Sequence, residues 1–161
     1  MLPDNVRAAL DATGAPYEVL ACDPALADTA AFCEHYKFPP ANAANAIVVA
    51  AKKEPREYAV CLVLATTKLD VNHRVRDLLG ARKVSFADAE ETQAVTGMMI
   101  GGVTPFGLDL PVYVDSRVMT LDYAIVGGGN RSAKLKISPE AFRRLPRVQI
   151  VDGLGIDRLI G

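Results

Sequence analysis

Apolar residues in this chain come in short runs that follow two different periods. Between Pro3 and Thr13, Val6, Ala9, Leu10 and Thr13 recur at helical spacing, with Gly14 just beyond as a stop signal. Tyr17 to Cys22 reads as a strand. Asp28 or Thr29 is placed to cap a helix that reaches Tyr36 on an apolar stripe of Ala30, Phe32, Cys33 and Tyr36, and Pro39 and Pro40 end it. Asn45 to Ala51 and Tyr58 to Ala65 are apolar at both alternating sets of positions. Such runs predict strands covered on both faces, central to the core and joined by a turn around Lys52 to Arg56. Further on, Asp70 to Leu79 predicts a helix capped by Asp70 and closed by Gly80, Lys83 to Ala87 a strand, and Asp88 to Val95 a helix ending at Gly97. Pro111 to Asp115, Tyr123 to Val126 and Ala133 to Ile137 read as strands, the last two joined by the turn Gly127 to Asn130. Ser138-Pro139-Glu140 opens a final helix with Pro at the first helical position.

About eight strands thus interleave irregularly with four or five short helices, which is not the alternation that a doubly wound sheet requires. The expected class is α+β, a mixed, partly barrel-like β-sheet surrounded by short helices. Neither Gly101-Gly102 nor Gly127 to Gly129 fits a dinucleotide or P-loop fingerprint. The 161 residues, half of them hydrophobic, suit a single domain over residues 1–161 whose core needs no disulfide or metal to fold. A formal net charge of −1 excludes indiscriminate nucleic-acid binding. Charge is nevertheless sorted along the chain. Residues 130–147 carry Arg131, Lys134, Lys136, Arg143, Arg144 and Arg147 against the single acid Glu140, a candidate patch for phosphates.

Cys22, Cys33 and Cys61 are odd in number and lack C-x-x-C spacing, which points to a reducing compartment, the cytoplasm. The N-terminus lacks a signal-peptide pattern, and no apolar run is long enough to span a membrane. His35 and His73 form no ligand motif, so neither a metal nor a cofactor is expected. Cys61, mid-strand in an apolar run, reads as a buried and inert thiol. No serine has a nucleophile-elbow context, which leaves a Ser-His-Asp hydrolase unsupported.

Chemistry centres on Gly101-Gly102-Val103-Thr104-Pro105-Phe106-Gly107. Glycine lets the backbone approach a ligand closely, and Pro105 stiffens the loop so that its N–H groups are preorganised donors; a turn between strands is the plainer explanation. The glycines before Asn130 and Arg131 suit a hairpin turn. Asn45 opens an otherwise apolar strand, so its amide lies at a solvent edge or faces a polar pocket. Strict alternation in Ala133 to Ile137 puts Lys134 and Lys136 together on one face, ordinarily a solvated one. Asp28, Asp115 and Asp122 are isolated acids near loops, with structural capping as their default. Tyr17, Phe32 and Phe106 are candidates to shape a pocket from distant parts of the chain.

Taken in order, AIVVAA, VLATTKLD, ARKVSFAD, TGMMIGGVTPFG, PVYVDS and IVGGGNRSAKLKIS resemble the YbaK/ProX family of aminoacyl-tRNA deacylases, and the editing domain inserted in bacterial prolyl-tRNA synthetases. The resemblance runs from about Asn45 to Ile137, and the glycine loop is its most specific part. It implies a mixed barrel-like fold and a free-standing protein that hydrolyses the ester of a mischarged tRNA, without a protein nucleophile or cofactor. It implies that Gly101 to Pro105 line the pocket, with Gly101 polarising the carbonyl and Gly102, Val103, Thr104, Pro105, Phe106, Gly128 and Arg131 binding substrate. Two positions depart from the family pattern. The family's lysine at the start of the first core strand is Asn45 here, and the acid that relatives carry after the GG-x-R turn is Lys134. An amide keeps donors but loses the charge. One reading has Lys134 supplying that charge from a neighbouring strand, so that Asn45, Gly101 and Lys134 form the catalytic set. The other has a retired module that binds an aminoacyl group, a nucleotide or a tRNA end. The aminoacylated tRNA end is the expected partner, an aminoacyl-tRNA synthetase a second one, and no membrane is involved.

Overall fold

The computed structural model describes residues 2–158. Helix α1 (Asp4–Thr13) buries Val6, Leu10 and Thr13, and Gly14 ends it at φ 68°, a left-handed conformation that glycine adopts without strain. Strand β1 (Tyr17–Ala21) and helix α2 (Thr29–Tyr36) follow. Next come β2 (Ala44–Ala51), β3 (Glu57–Leu64) and the short β4 (Thr67–Leu69). Helix α3 (Arg76–Leu79), β5 (Val84–Phe86), α4 (Ala89–Thr96), β6 (Val112–Asp115) and β7 (Ala124–Gly127) make up the middle. The chain closes with β8 (Ala133–Ile137), α5 (Glu140–Arg143), β9 (Val148–Val151) and β10 (Gly155–Asp157).

A five-stranded sheet in the order β5-β2-β3-β6-β9 forms the centre. β2 and β3 pair antiparallel from Ala44–Leu64 to Ala51–Glu57, whereas β3–β6 and β6–β9 are parallel. Alternation explains why β2 and β3 are apolar throughout. Val48, Val60 and Leu62 face one core cluster with Leu10, Phe106, Leu135 and Phe142, while Val49, Ala59, Cys61 and Val63 face another with Val75, Val151 and Leu154. A second sheet, β1-β8-β7, is wholly antiparallel. It packs on the first in the main core cluster and is joined to it by one parallel bridge, Ala43 to Ile125, beside a small cluster of Cys22, Ala27, Phe32 and Cys33. The fold is thus α+β and mixed, but the sheets stay separate and close no barrel.

Several local expectations change. Asp70 does not cap a helix; its carboxylate meets His73 Nδ1 at 3.2 Å, and the segment winds as a wide π turn over Val71–Val75 before α3. Strands β4, β9 and β10 go unread in the sequence. β4 and β10 pair only with each other, and three residues are too few to show a period. Among the described residues no helix is long and apolar enough to cross a membrane.

Phe142, fully buried, stacks on Phe106 with ring centroids 5.7 Å apart. Phe142→Ala should lower unfolding free energy by about 3–5 kcal/mol, read as a shifted urea midpoint at unchanged slope.

Candidate functional site

Two glycine turns meet backbone to backbone. The Gly129 amide donates to Gly102 O at 2.7 Å and the Gly102 amide to Met99 O at 2.9 Å. A Cβ on Gly102 would lie 2.4 Å from the Asn130 carbonyl carbon, and one on Gly127 would lie 2.3 Å from Val103 O. Neither neighbour is a side chain that could move aside, so the glycines of both turns are explained first by their mutual approach. Gly101 adds φ 92° and an Arg131 Nη1 atom 2.0 Å from where its Cβ would stand. The 127–130 turn is therefore more than a hairpin connection: it is the seat of the 101–105 loop.

Beside this contact lies a cavity of about 220 Å³, placed where the two sheets part. Its walls come from the start of β2 (Asn45, Ala46, Ile47), from α2 (Thr29, Phe32), from β7 (Ile125, Val126, Gly127) and from the loop (Ile100, Gly101, Val103), with Asp28 and Lys134 among the lining residues. Lys134 is only 5% exposed. Its Nζ donates to Gly101 O at 2.9 Å and stands 5.8 Å from the centre of the Phe32 ring. Burial lowers the Lys134 pKa below the usual lysine range, the nearby Arg131 acting in the same direction and Cys22 against it. Asn45 is held by Thr29, whose hydroxyl donates to Asn45 Oδ1 at 2.5 Å. Among the described residues its Nδ2 has no acceptor, and neither has the Gly101 or the Val103 amide. The residues that line this mainly aliphatic cavity thus bring one ammonium and three neutral donors with no partner among the described residues.

Of the residues expected to bind or react, Asn45, Gly101, Val103 and Lys134 line this cavity together. Gly102, Thr104, Pro105, Phe106, Gly128 and Arg131 do not. Phe106 packs on Phe142 in the core, and the Gly128 amide donates to Ala133 O at 3.1 Å. The buried Thr104 hydroxyl has no partner among the described residues. Arg131 is engaged by the protein, donating to Pro24 O at 3.0 Å, to Ile100 O at 2.8 Å and to Asp28 Oδ1 at 3.3 Å. Tyr17 turns away to bond Asp11, whereas Phe32 does shape the cavity.

The solvated face expected of Lys134 and Lys136 is not found. Lys134 is buried, and Lys136 is half-buried with its Nζ 4.6 Å from the centre of the Tyr123 ring. Nor does the cationic run form a free patch. Arg143 pairs with Glu140, Arg147 with Asp109, and Arg144 donates to Thr13 O. Asp115 and Asp122 do serve structure, accepting from the Gly155 amide and from Asn42 Nδ2, both at 2.9 Å. Cys61 is buried and its thiol pushed up to about 12 by desolvation. Among the described residues no group of three His, Cys, Asp or Glu side chains could hold a metal ion. Thr29 and Ile100 were not legible as cavity residues, since nothing in a local pattern marks which loop a helix end will face.

The family model of the aminoacyl-tRNA editing domain matches residues 23–145. A proline–tRNA ligase of Desulfovibrio desulfuricans is 37% identical over 75 residues, which cover 46% of this chain and 13% of the ligase. EbsC of Enterococcus faecalis, a candidate Cys-tRNA(Pro)/Cys-tRNA(Cys) deacylase, is 25% identical over 95 residues, covering 58% of this chain and 57% of EbsC. The chain therefore spans a small part of the ligase and little over half of EbsC. Among solved structures, a candidate trans-editing enzyme for prolyl-tRNA synthetase superposes with a TM-score of 0.77 over 94% of this chain and 98% of its own, at 22% identity, a likeness of fold.

Lys134 makes no ion pair among the described residues, so its burial opposes folding. Lys134→Met should raise the thermal midpoint by about 2–4 °C, as expected for ~1 kcal/mol in a chain of this size. The folded-state pKa lies below the unfolded one, so wild-type stability rises with pH between the two. The gap between wild type and variant should accordingly narrow as pH climbs toward 10.5 in paired melting curves.

Proposed function

Because this chain belongs to the aminoacyl-tRNA editing domain family, we propose that it is a trans-editing deacylase that hydrolyses the ester of a mischarged tRNA. The observation that carries this reading is the Lys134 ammonium, buried in the cavity that Asn45 shares and oriented by Gly101 O at 2.9 Å. Family membership alone leaves the loss of the lysine at position 45 unanswered. The Lys134 ammonium, reaching the same cavity from β8, supports the reading that the charge is supplied from there.

Hydrolysis adds water across the ester. The water oxygen bonds to the carbonyl carbon, the electron pair moves onto the carbonyl oxygen, and collapse of the tetrahedral species expels the terminal ribose oxygen. That oxygen leaves with a proton originating in the water, giving a free amino acid and a tRNA with its hydroxyl restored. The difficult moment is the oxyanion. Lys134 uses one N–H on Gly101 O and keeps two for the substrate, where a low local dielectric makes each worth more than in water. The Asn45 amide, fixed by Thr29, and the free N–H groups of Gly101 and Val103 add neutral donors. Gly101 therefore acts through both of its peptide groups, with the carbonyl aiming the ammonium and the amide facing the ester.

Ile47, Val103, Ile125 and Val126 are suited to a small apolar side chain, and a cavity of about 220 Å³ leaves little room for a large one. The macromolecular partner is the aminoacylated acceptor end of a tRNA, and a synthetase that produces such errors is the natural companion. With the cationic residues of 130–147 engaged by the protein, contacts to the tRNA backbone are local and few, and binding should be weak and salt-sensitive.

Purified protein incubated with a panel of mischarged tRNAs should remove small amino acids, followed as loss of ester-linked label; no turnover on any member overturns the reading. Lys134→Ala should lower kcat/KM by about 10²–10³-fold. Should the wild type be inert and Asn45→Lys active, the chain is a binding module instead.

A further inference from the structure

We propose that Asp28 binds the α-ammonium group of the aminoacyl ester, so that the site selects amino acid esters over esters lacking the amine. This inference rests on the editing reading and adds a recognition element to it.

Asp28 occupies the N-cap position of α2 with extended backbone, where an aspartate ordinarily accepts from the first-turn amides, yet its side chain makes no such bond. Two other aspartates in this chain cap in the expected way. Asp23 accepts from the Ala25 amide at 3.0 Å and Asp88 from the Glu91 amide at 2.7 Å. The Asp28 carboxylate turns instead toward the glycine loop. Its Oδ1 lies 3.3 Å from Arg131 Nη1 and 3.1 Å from where a Cβ on Gly101 would stand.

Among the described lining residues of the cavity, Asp28 is the sole carboxylate and Lys134 the sole cation. An aminoacyl ester brings its own positive charge, because its α-amino group is protonated over part of the neutral range. Without an acid, that charge would share a small cavity with the Lys134 ammonium and be repelled. Asp28 offsets the repulsion at the mouth, where its side chain is 73% exposed. Arg131 occupies Oδ1 only, and its other bonds, to Pro24 O and Ile100 O, hold the guanidinium in place. Oδ2 has no partner among the described residues and is free for an ammonium. The ester carbonyl then points to Lys134 and the amine to Asp28, which fixes the orientation of the acyl group by charge.

Two amide-linked, non-hydrolysable probes separate this role from a structural one: 3′-(L-alanylamino)-3′-deoxyadenosine and its 2-hydroxy counterpart, 3′-(L-lactylamino)-3′-deoxyadenosine. Calorimetric titration of wild type should show tighter binding of the alanyl probe. Asp28→Asn keeps the shape and an oxygen for Arg131, and should weaken the alanyl probe by about tenfold while changing the lactyl probe less than about threefold. Arg131→Gln, which releases the loop, should weaken both alike. Equal losses on both probes in Asp28→Asn, no loss on either, or wild-type binding indifferent to the amine each overturn the inference. Deacylation of the tRNA panel is measured separately, so an active enzyme that ignores the amine is distinguishable from an inactive one.

Discussion

Where the loop around Gly101 meets the turn around Gly128, two backbones come closer than any side chain would allow, and the site is arranged around that approach. The Gly129 amide on Gly102 O, 2.7 Å long, staples the loop to the turn that leads into β8. Lys134 stands two residues into that strand, so the staple fixes the distance between the ammonium and the Gly101 carbonyl it addresses. Arg131, between staple and strand, ties Ile100 O to Asp28 and Pro24 O and so brings the N-terminal end of α2 into the same assembly. One steric requirement, the absence of Cβ atoms, positions groups from three separate stretches of chain.

The electrostatic arrangement works against stability. A lysine with 5% exposure and no carboxylate in salt-bridge range among the described residues is sustained by one carbonyl and one aromatic ring. A stable core has no use for such a group, and a hydrophobic side chain would serve it better. The conflict between local stability and local charge supports the role proposed for Lys134.

Much of the fold was legible in the sequence because its signals are local. Gly14, Gly80 and Gly97 follow three helices, and all three adopt the positive φ that closes a helix. The doubly apolar runs are β2 and β3, second and third across the central sheet. Signals failed where an element depends on a partner remote in sequence. β4 exists only against β10, and the Asp70 amide, just before the π turn, donates to Leu154 O from the far end of the chain. Lys134 shows the limit most clearly. Alternation placed it correctly opposite Leu135, yet the assumption that a lysine's face is a wet face does not survive where Phe32 and the Gly101 loop cover that face. Likewise the run of cations at 130–147 looked like a patch on paper, but β8, α5 and the segment after them direct its members to Tyr123, Glu140, Thr13 and Asp109.

A wider cleft of about 650 Å³ lies next to the cavity, and Thr29 and Asn45 line both. The bond from the Thr29 hydroxyl to the Asn45 amide oxygen thus stands where the two spaces adjoin. A chamber bounded by aliphatic carbon rejects an oversized guest through overpacking, at about 1–3 kcal/mol or more. One bounded by a hydrogen bond resists only with the net strength of that bond, about 1 kcal/mol, and the guest then gains the space behind it. Where that bond stands, the boundary of the chamber yields more easily than its aliphatic walls.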